Sequence, residues 1–267
     1  MNESVEKAQF AWQPLTVRGV AAFARAPLGR LLLVQFMVAL LAAGTIVWFL
    51  HKAWFPQISE AIRQLPLQGE LRAGRLDWQG ATPARLAEGR FLALVVDLDH
   101  AGEARSPAHV QVEFGRTNCM VFSLFGYVQG AYPRGQVVAF NSTELGPWWG
   151  AWAPAILAMS AGLVVVGLMV TWGCLATVCF LPVWLVGFFA NRDLSLRGSW
   201  RLAGAALMPG ALFMCVVVFL YGCCVMDLVG LAVAGALHLV ISWVYLIISP
   251  LCLPRHPEAV AKANPFA

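Results

Sequence analysis

The chain has 267 residues, of which 60% are hydrophobic and only 12% are charged, and its formal net charge is +4. Soluble domains average about 45–50% apolar and about 25% charged residues, so this composition excludes an ordinary soluble globular protein. Basic residues predominate in residues 1–30 and 191–201, whereas residues 51–146 carry nine charges of each sign. The positive-inside rule therefore predicts cytoplasmic basic segments, with residues 51–146 outside.

The first thirty positions, residues 1–30, form a polar, basic leader with no cleavable signal peptide. Between Thr16 and Gly29 apolar residues recur at helical spacing with arginines between them, which predicts a short interfacial helix. An unstructured basic leader is the alternative. Residues 31–50 then form an apolar run of the length that spans a bilayer, and they predict transmembrane span 1.

The next segment, residues 51–146, is the one stretch large enough for a folded domain outside the membrane. Residues 52–65 have the apolar spacing of an amphipathic helix. Five runs bounded by Gly, Pro or polar residues predict about five short strands. These runs are GELRAGRLDW, FLALVVDLDH, HVQVEFG, NCMVFSLFGYV and GQVVAF.

One of these runs has a strict alternation. Val110, Val112 and Phe114 alternate with the polar Gln111 and Glu113. This pattern predicts a half-buried strand whose polar side chains face solvent.

The longest uncharged stretch, residues 147–190, contains no Asp, Glu, Lys or Arg. If the basic loop that follows is cytoplasmic, this stretch crosses the membrane an odd number of times, and we expect span 2 at about residues 153–174. The remainder, through Pro182, is then predicted to be kinked, re-entrant or interfacial. A tight hairpin of two short spans is the alternative, and it would place the basic loop outside.

The C-terminal part continues in the membrane. Residues 191–199 are predicted to form a cytoplasmic basic loop, residues 200–222 a span 3 kinked at Pro209, residues 228–249 span 4, and residues 250–267 a cytoplasmic tail. The predicted fold is thus an α-helical transmembrane bundle of about four spans, with a small α+β extracytoplasmic domain inserted between spans one and two.

Small residues four positions apart occur within these spans, as in the pairs Ala158 with Gly162 and Gly167 with Thr171. This spacing lets membrane helices approach closely and predicts packing seams. A protein partner or a homo-oligomer would use such seams, and the lipid bilayer is the partner that the composition requires.

Two carboxylates are the first candidate for a functional site. Asp97 and Asp99 lie two residues apart at the end of a predicted strand, so both should face the same way. With His100 or His109 nearby they could hold a divalent cation. The alternative is a solvated strand end and turn.

Ionisable residues near the last spans are the second candidate. Charged and titratable groups are costly in hydrocarbon, which makes them functional suspects. Asp227 is expected in the outer turn between spans 3 and 4, where water solvates it. His238 lies near the middle of span 4, either on a transport path or as a neutral, hydrogen-bonded packing histidine.

Signatures of common enzyme classes are missing from the sequence. It contains no P-loop, HExxH, GxSxG or CxxC motif and no glycine-rich nucleotide fingerprint. We therefore expect no enzymatic activity, no cofactor, no metal and no nucleic-acid partner.

Four features carry a family resemblance: the leader motif FARAPLGR, the segment PLQGEL, the pair Asp97 and Asp99, and the late block SWRLAGAALMPGAL. Together they resemble a bacterial membrane protein family of unknown function linked to maltodextrin utilisation, and the last block is similar to the more distant Yip-type five-span proteins. The resemblance covers much of the chain. It implies a bacterial cytoplasmic membrane protein whose role is undefined, and it transfers no site residues.

Two functions follow from these patterns as hypotheses. The first is a non-enzymatic accessory, sensing or scaffold protein of the cytoplasmic membrane that acts through its extracytoplasmic domain. The second is a small transporter or permease subunit with a path through the helix bundle, which needs polar groups or broken helices near the midplane.

Overall fold

The structure is a computed structural model that describes residues 13–255. The first part of the predicted leader and the tail beyond residue 255 lie outside the described residues. Within those residues the chain forms two compact units. The bundle unit comprises residues 13–46 and 161–255, and the inserted unit comprises Val47–Ser160.

Helices predominate in the described chain. They are α1 (Val17–Ala22), α2 (Leu28–Phe49), a π-helical segment (Leu50–Trp54), α3 (Phe55–Arg63), α4 (Ser142–Phe189), α5 (Leu196–Ala206), α6 (Met208–Gly222) and α7 (Leu228–Leu251).

Four helical segments are long and apolar enough to cross a membrane. They are Leu28–Arg63, Ser142–Phe189, Leu196–Gly222 and Leu228–Leu251. The prediction of about four apolar helices with a small α+β insertion is therefore confirmed at this level.

Helix α1 is part of the bundle core, although we predicted an interfacial helix. Thr16 caps its N-terminus by accepting a hydrogen bond from the Gly19 amide at 3.0 Å. Val20 and Phe23 are completely buried, and they belong to the same apolar cluster as Leu202 of α5. The apolar face of α1, which we predicted to lie at the membrane interface, is therefore covered by other helices of the same chain.

The third predicted span is divided into two helices. Ser195 caps α5, which begins at Leu196 inside the loop that we predicted to be non-helical. Leu207 separates α5 from α6. Pro209 lies in the first turn of α6, where a backbone N–H has no acceptor within the helix, so the N–H that proline lacks is not missed. Gly210 allows α6 to approach α7, because a Cβ at this position would lie 2.7 Å from the His238 carbonyl oxygen.

Helix α4 is continuous from Ser142 to Phe189 and passes through Pro182 without a break. It would be about 72 Å long at 1.5 Å per residue, and the chain does not turn back as the hairpin alternative requires. Its beginning belongs to the inserted unit, where Trp149 donates a hydrogen bond to Ser59 at 2.9 Å.

The small residues predicted as seams along α4 do not pack within the described structure. An added Cβ at Gly162 or Gly167 would meet no other atom within 4 Å. The close helix approaches instead involve Gly204, which faces Gln35 and Leu31, and Gly210.

The inserted unit contains eight strands where we predicted about five. They are β1 (Gly69–Arg72), β2 (Arg75–Trp78), β3 (Ala84–Glu88), β4 (Leu92–Val96), β5 (Val110–Phe114), β6 (Asn118–Ser123), β7 (Gly126–Ala131) and β8 (Val138–Ala139). Two of the predicted runs each contain a tight turn and so form two strands, and the polar β3 has no strand signal of its own.

These strands form two sheets, with orders β2-β1-β8 and β3-β4-β5-β6-β7. The pair β4 and β5 is parallel, and the other neighbours in the larger sheet are antiparallel. One face of this sheet packs on the apolar cluster that includes Leu65, Leu92 and Phe140. The parallel pair requires a crossover, which is residues 97–109.

Candidate functional site

A buried polar cluster lies on the second face of the five-stranded sheet. Its members are Asp97, His100, Gln111, Glu113 and Asn118. Asp97, Gln111 and Glu113 have 2%, 3% and 1% of their surface exposed. We predicted Gln111 and Glu113 on a solvent face, and that prediction is wrong.

The crossover explains this difference. Residues 97–109 fold back over the polar face and exclude water from it. The Ser106 amide donates to Gln111 Oε1 at 2.8 Å, and the Arg105 guanidinium lies over the Phe122 ring at 3.9 Å from its centroid. The polar side chains of β5 are thus buried by the chain segment that precedes the strand.

His100 is the centre of the cluster. Its Nδ1 lies 2.5 Å from Glu113 Oε1 and its Nε2 lies 3.0 Å from Asn118 Oδ1. Both partners are oxygen acceptors, and this arrangement favours the doubly protonated imidazolium, in which both ring nitrogens donate. Gln111 donates to the second Glu113 oxygen at 3.1 Å, which completes the pair.

The electrostatics favour this charged state. Burial alone would lower the pKa of His100, but the hydrogen bonds to Glu113 and Asn118 and the negative charges of Glu113 and Asp97 outweigh it and raise the pKa above its ordinary value. A buried carboxylate needs such a partner, because an unpaired charge is expensive to remove from water.

The backbone is shaped to bring the ring into place. His100 has a φ of +52°, a left-handed conformation that costs a non-glycine residue roughly 1 kcal/mol. Gly115 leaves room for the ring, since a Cβ there would lie 2.1 Å from His100 Nε2. The two hydrogen bonds of the imidazole offset this backbone cost.

The structure separates the two predicted carboxylates. Asp97 is buried and accepts a hydrogen bond from the Gly102 amide at 3.0 Å, whereas the Asp99 side chain is 75% exposed and lies 3.4 Å from Arg116. The chain turns directly after β4, so strand alternation does not apply to this pair. His100 points to Glu113, and His109 packs on Phe91.

Metal ligands do not converge at this place. Among residues 13–255 no group of three or more His, Cys, Asp or Glu side chains is placed to hold a metal ion. Cys119, beside the cluster, is partly buried, and burial raises the pKa of its thiol, which disfavours the reactive thiolate.

The second pair of candidates lies in the bundle unit. Asp227 is the N-cap of α7 and accepts a hydrogen bond from the Gly230 amide at 2.7 Å. His238 Nδ1 is hydrogen-bonded to the Gly235 carbonyl oxygen of its own helix. Asp227 and His238 therefore do not meet, and each is bonded to its own helix.

His238 also lines a cavity of about 400 Å³ in the bundle unit. The walls are formed by α2, α4, α6 and α7, and nearly all the lining side chains are apolar. The hydroxyls of Thr45 and Ser242 donate to carbonyl oxygens of their own helices, those of Leu41 and His238. This volume lies in the range of small-molecule sites, roughly 300–1,000 Å³.

The edge strand of the larger sheet is a further feature that the sequence did not single out. All six residues of β7 are exposed, and none of them is charged. At the adjoining turn Phe125 is 85% exposed, and in the strand Val128 is 72% exposed. Native sheet edges are commonly protected by charge, proline or a bulge, and β7 has none of these between its ends.

No protein-family model matches the chain, and neither the curated proteins nor the solved structures include a match to it.

Proposed function

We propose that the chain is a multi-pass protein of the bacterial cytoplasmic membrane with a non-enzymatic scaffold role, exerted by the inserted unit on the extracytoplasmic side. Four apolar helices support the membrane assignment, and the balanced charges of residues 51–146 support the orientation. The family resemblance described above agrees with the membrane assignment.

The buried polar cluster supports a non-enzymatic role. Both His100 nitrogens are occupied, so neither is available to accept a proton from a substrate. The cluster therefore holds the crossover on the sheet, which is a structural task.

The fully exposed, uncharged β7 is the observation that carries the scaffold proposal. A two-fold axis perpendicular to the sheet at Val128 would pair β7 with β7 of a second copy in antiparallel fashion. Val128 would then face Val128, Tyr127 would face Gln129, and Gly126 would face Gly130. No like charges would meet, and the free backbone groups of both edges would be satisfied.

Disulfide cross-linking of the full-length protein tests this pairing. Directly opposed residues in an antiparallel pair have Cα atoms about 4.5–5.5 Å apart, within the usual disulfide range of about 4.4–6.8 Å. Val128→Cys should therefore give a covalent dimer in the membrane under mild oxidation, above the baseline of the parent protein with its own cysteines. Val138→Cys, on exposed β8 of the other sheet, is the matched control and should stay monomeric.

A charge at the same position provides the second readout. Val128→Lys should convert the reconstituted protein to monomers, measured by single-molecule photobleaching in liposomes, because two lysines would face each other across the axis. If both variants behave as the parent does, β7 does not pair with itself. If Val128→Lys instead causes a different bound protein to dissociate, β7 binds that protein and not a second copy of the chain.

A small transporter or permease subunit is the second candidate, and the cavity beside His238 favours it. A proton path through this residue would make the reconstituted protein conduct protons, measured with a pH-sensitive dye inside liposomes. His238→Ala should then abolish the flux. The hydroxyls of Thr45 and Ser242 donate to their own helices, and no Asp, Glu, Lys or Arg lines the cavity. For these two reasons this function is the second candidate.

A further inference from the structure

We infer that the bundle unit binds one anionic glycerophospholipid along the seam between α4 and α7, with an acyl chain in the cavity and the phosphate at Arg192. This site rests on the membrane assignment and orientation proposed above, but it is independent of the scaffold role of β7, because it uses only residues of the bundle unit.

The seam contains a long apolar furrow. The large cavity is lined by residues of α4 from Val164 to Cys179, which corresponds to about 22 Å of helix. A second cavity of about 20 Å³ shares Cys179, Trp243 and Leu246 with the first and continues to Val186 and Ile247. Such a narrow, elongated and almost wholly apolar shape matches a hydrocarbon chain.

The furrow is open to the surroundings of the helices. Leu175 on one wall is 40% exposed, and Leu239 and Trp243 on the other are 56% and 52% exposed. Because these helices are apolar enough to span a membrane, the surroundings are lipid. A lipid chain can enter sideways without crossing water.

An arginine lies beyond the last residue of α4 that lines the furrow. Val186 lies in the last turn of α4, and Arg192 follows the end of that helix. The Arg192 guanidinium donates through Nη1 to the Leu253 carbonyl oxygen at 2.7 Å, just beyond α7. Arg192 therefore joins the ends of α4 and α7, two of the helices that line the furrow.

Arg192 also has unused hydrogen-bonding capacity. Its Nε is buried and has no partner in the described structure. The neighbouring carboxylate, Asp193, is engaged by Arg25 at 2.7 Å and does not supply that partner. The residue as a whole is only partly buried, so a phosphate oxygen, the acceptor that a guanidinium suits best, would bind it from its accessible side.

The local charge favours an anion. Arg192, Arg197, Arg201 and Arg255 lie in or beside this end of the bundle, where Asp193 is the only carboxylate between residues 190 and 255 apart from Asp227 at the other end of α7. Basic pockets between spans on the cytoplasmic side are typical binding sites of anionic lipid headgroups.

Native mass spectrometry of the full-length protein in detergent tests the headgroup. With equimolar phosphatidylglycerol and phosphatidylcholine of identical chains, the parent protein should retain one phosphatidylglycerol preferentially. Arg192→Gln should weaken this retention about tenfold, the size expected for one charge-assisted hydrogen bond. Arg197→Gln, at an exposed arginine in the first turn of α5, is the control of equal charge and should change it less than twofold.

Photo-cross-linking tests the chain and does not depend on a variant of Arg192. A benzophenone amino acid at Leu239 should cross-link to the acyl chain of phosphatidylglycerol, whereas the same group at Val170, which is exposed on α4 outside the cavity lining, should not do so above background. Cys179→Trp, placed where the two cavities meet, should reduce the Leu239 cross-link several-fold.

Three results would overturn the site. Equal losses of retention with Arg192→Gln and Arg197→Gln would mean diffuse charge attraction. Displacement of the lipid by millimolar inorganic phosphate would mean an anion site without a role for the furrow. Equal cross-linking at Leu239 and Val170 would mean contact with bulk lipid. None of these measurements depends on whether β7 pairs with a second copy.

Discussion

Single residues of the inserted unit determine how the crossover is held on the polar face of the five-stranded sheet. The buried Glu113 forms an ion pair with the partly buried His100, whose imidazole is hydrogen-bonded on both sides. Such a pair contributes little compared with an apolar replacement, but removal of one partner leaves a buried charge uncompensated. The crossover therefore depends on the protonation state of one histidine.

We expect His100→Gln to lower the free energy of unfolding by about 2–3 kcal/mol, since Glu113 would lose its cation. The folded-state pKa of His100 is raised, so its stabilising contribution is fully present below the unfolded pKa of about 6.5 and is lost as pH rises through the folded pKa. Thermal unfolding of the full-length protein in detergent should thus show a pH-dependent midpoint that His100→Gln flattens. His51→Gln, at an exposed histidine, should keep the parent profile, and an unchanged profile in His100→Gln would contradict the ion pair.

Gly115→Ala should change the unfolding free energy and its pH dependence in the same way, although it does not replace a titratable residue. The added Cβ would lie 2.1 Å from His100 Nε2 and would force the ring out of the cluster. We expect a loss of about 1–3 kcal/mol together with the flattened pH profile, measured in the same unfolding experiment. Gly135→Ala, outside β7 and with no atom within 4 Å of the added Cβ, is the matched control, and equal effects at both glycines would refute the steric explanation.

At the scale of elements, the contact between α6 and α7 depends on a glycine. The Gly210 backbone approaches Ser242 and His238 so closely that a methyl group has no room. Gly210→Ala should separate the two helices and lower the midpoint of thermal unfolding, corresponding to about 1–3 kcal/mol. Gly44→Ala in α2, with open space around the added atom, should leave the midpoint close to the parent value. A small effect at Gly210 would mean that the helices repack without cost.

The sheet shows which strand-level features could be predicted. The apolar run of β4 is buried over all five residues, as expected for a strand covered on both faces. The polar face of the neighbouring β5 was predicted to be solvated, and the crossover buries it instead. β3 was missed because its residues, ARLAE, have no alternation that distinguishes them from a loop.

At the scale of the whole molecule, the distribution of charge predicts the topology. A reporter of periplasmic export fused near residue 100 should be active outside the cytoplasm, and one fused near residue 196 should report the cytoplasm, because Arg192 before α5 and Arg197 and Arg201 within it resist translocation. Paired periplasmic and cytoplasmic reporters at both positions provide the control for expression. Signals from the same compartment at both positions would reject the orientation and, with it, the extracytoplasmic role of the inserted unit.

The sequence by itself determined that the chain belongs in lipid and where a folded insertion interrupts the apolar helices. Both follow from the free energy of transferring whole segments, which adds up along the chain and needs no knowledge of neighbours. The tertiary structure alone decided that α1 is buried, that Asp97 and Asp99 diverge, and that His100 meets Glu113. Those outcomes depend on a turn and a crossover that bring distant residues together, and the energy of a polar side chain is set by the partners it then finds.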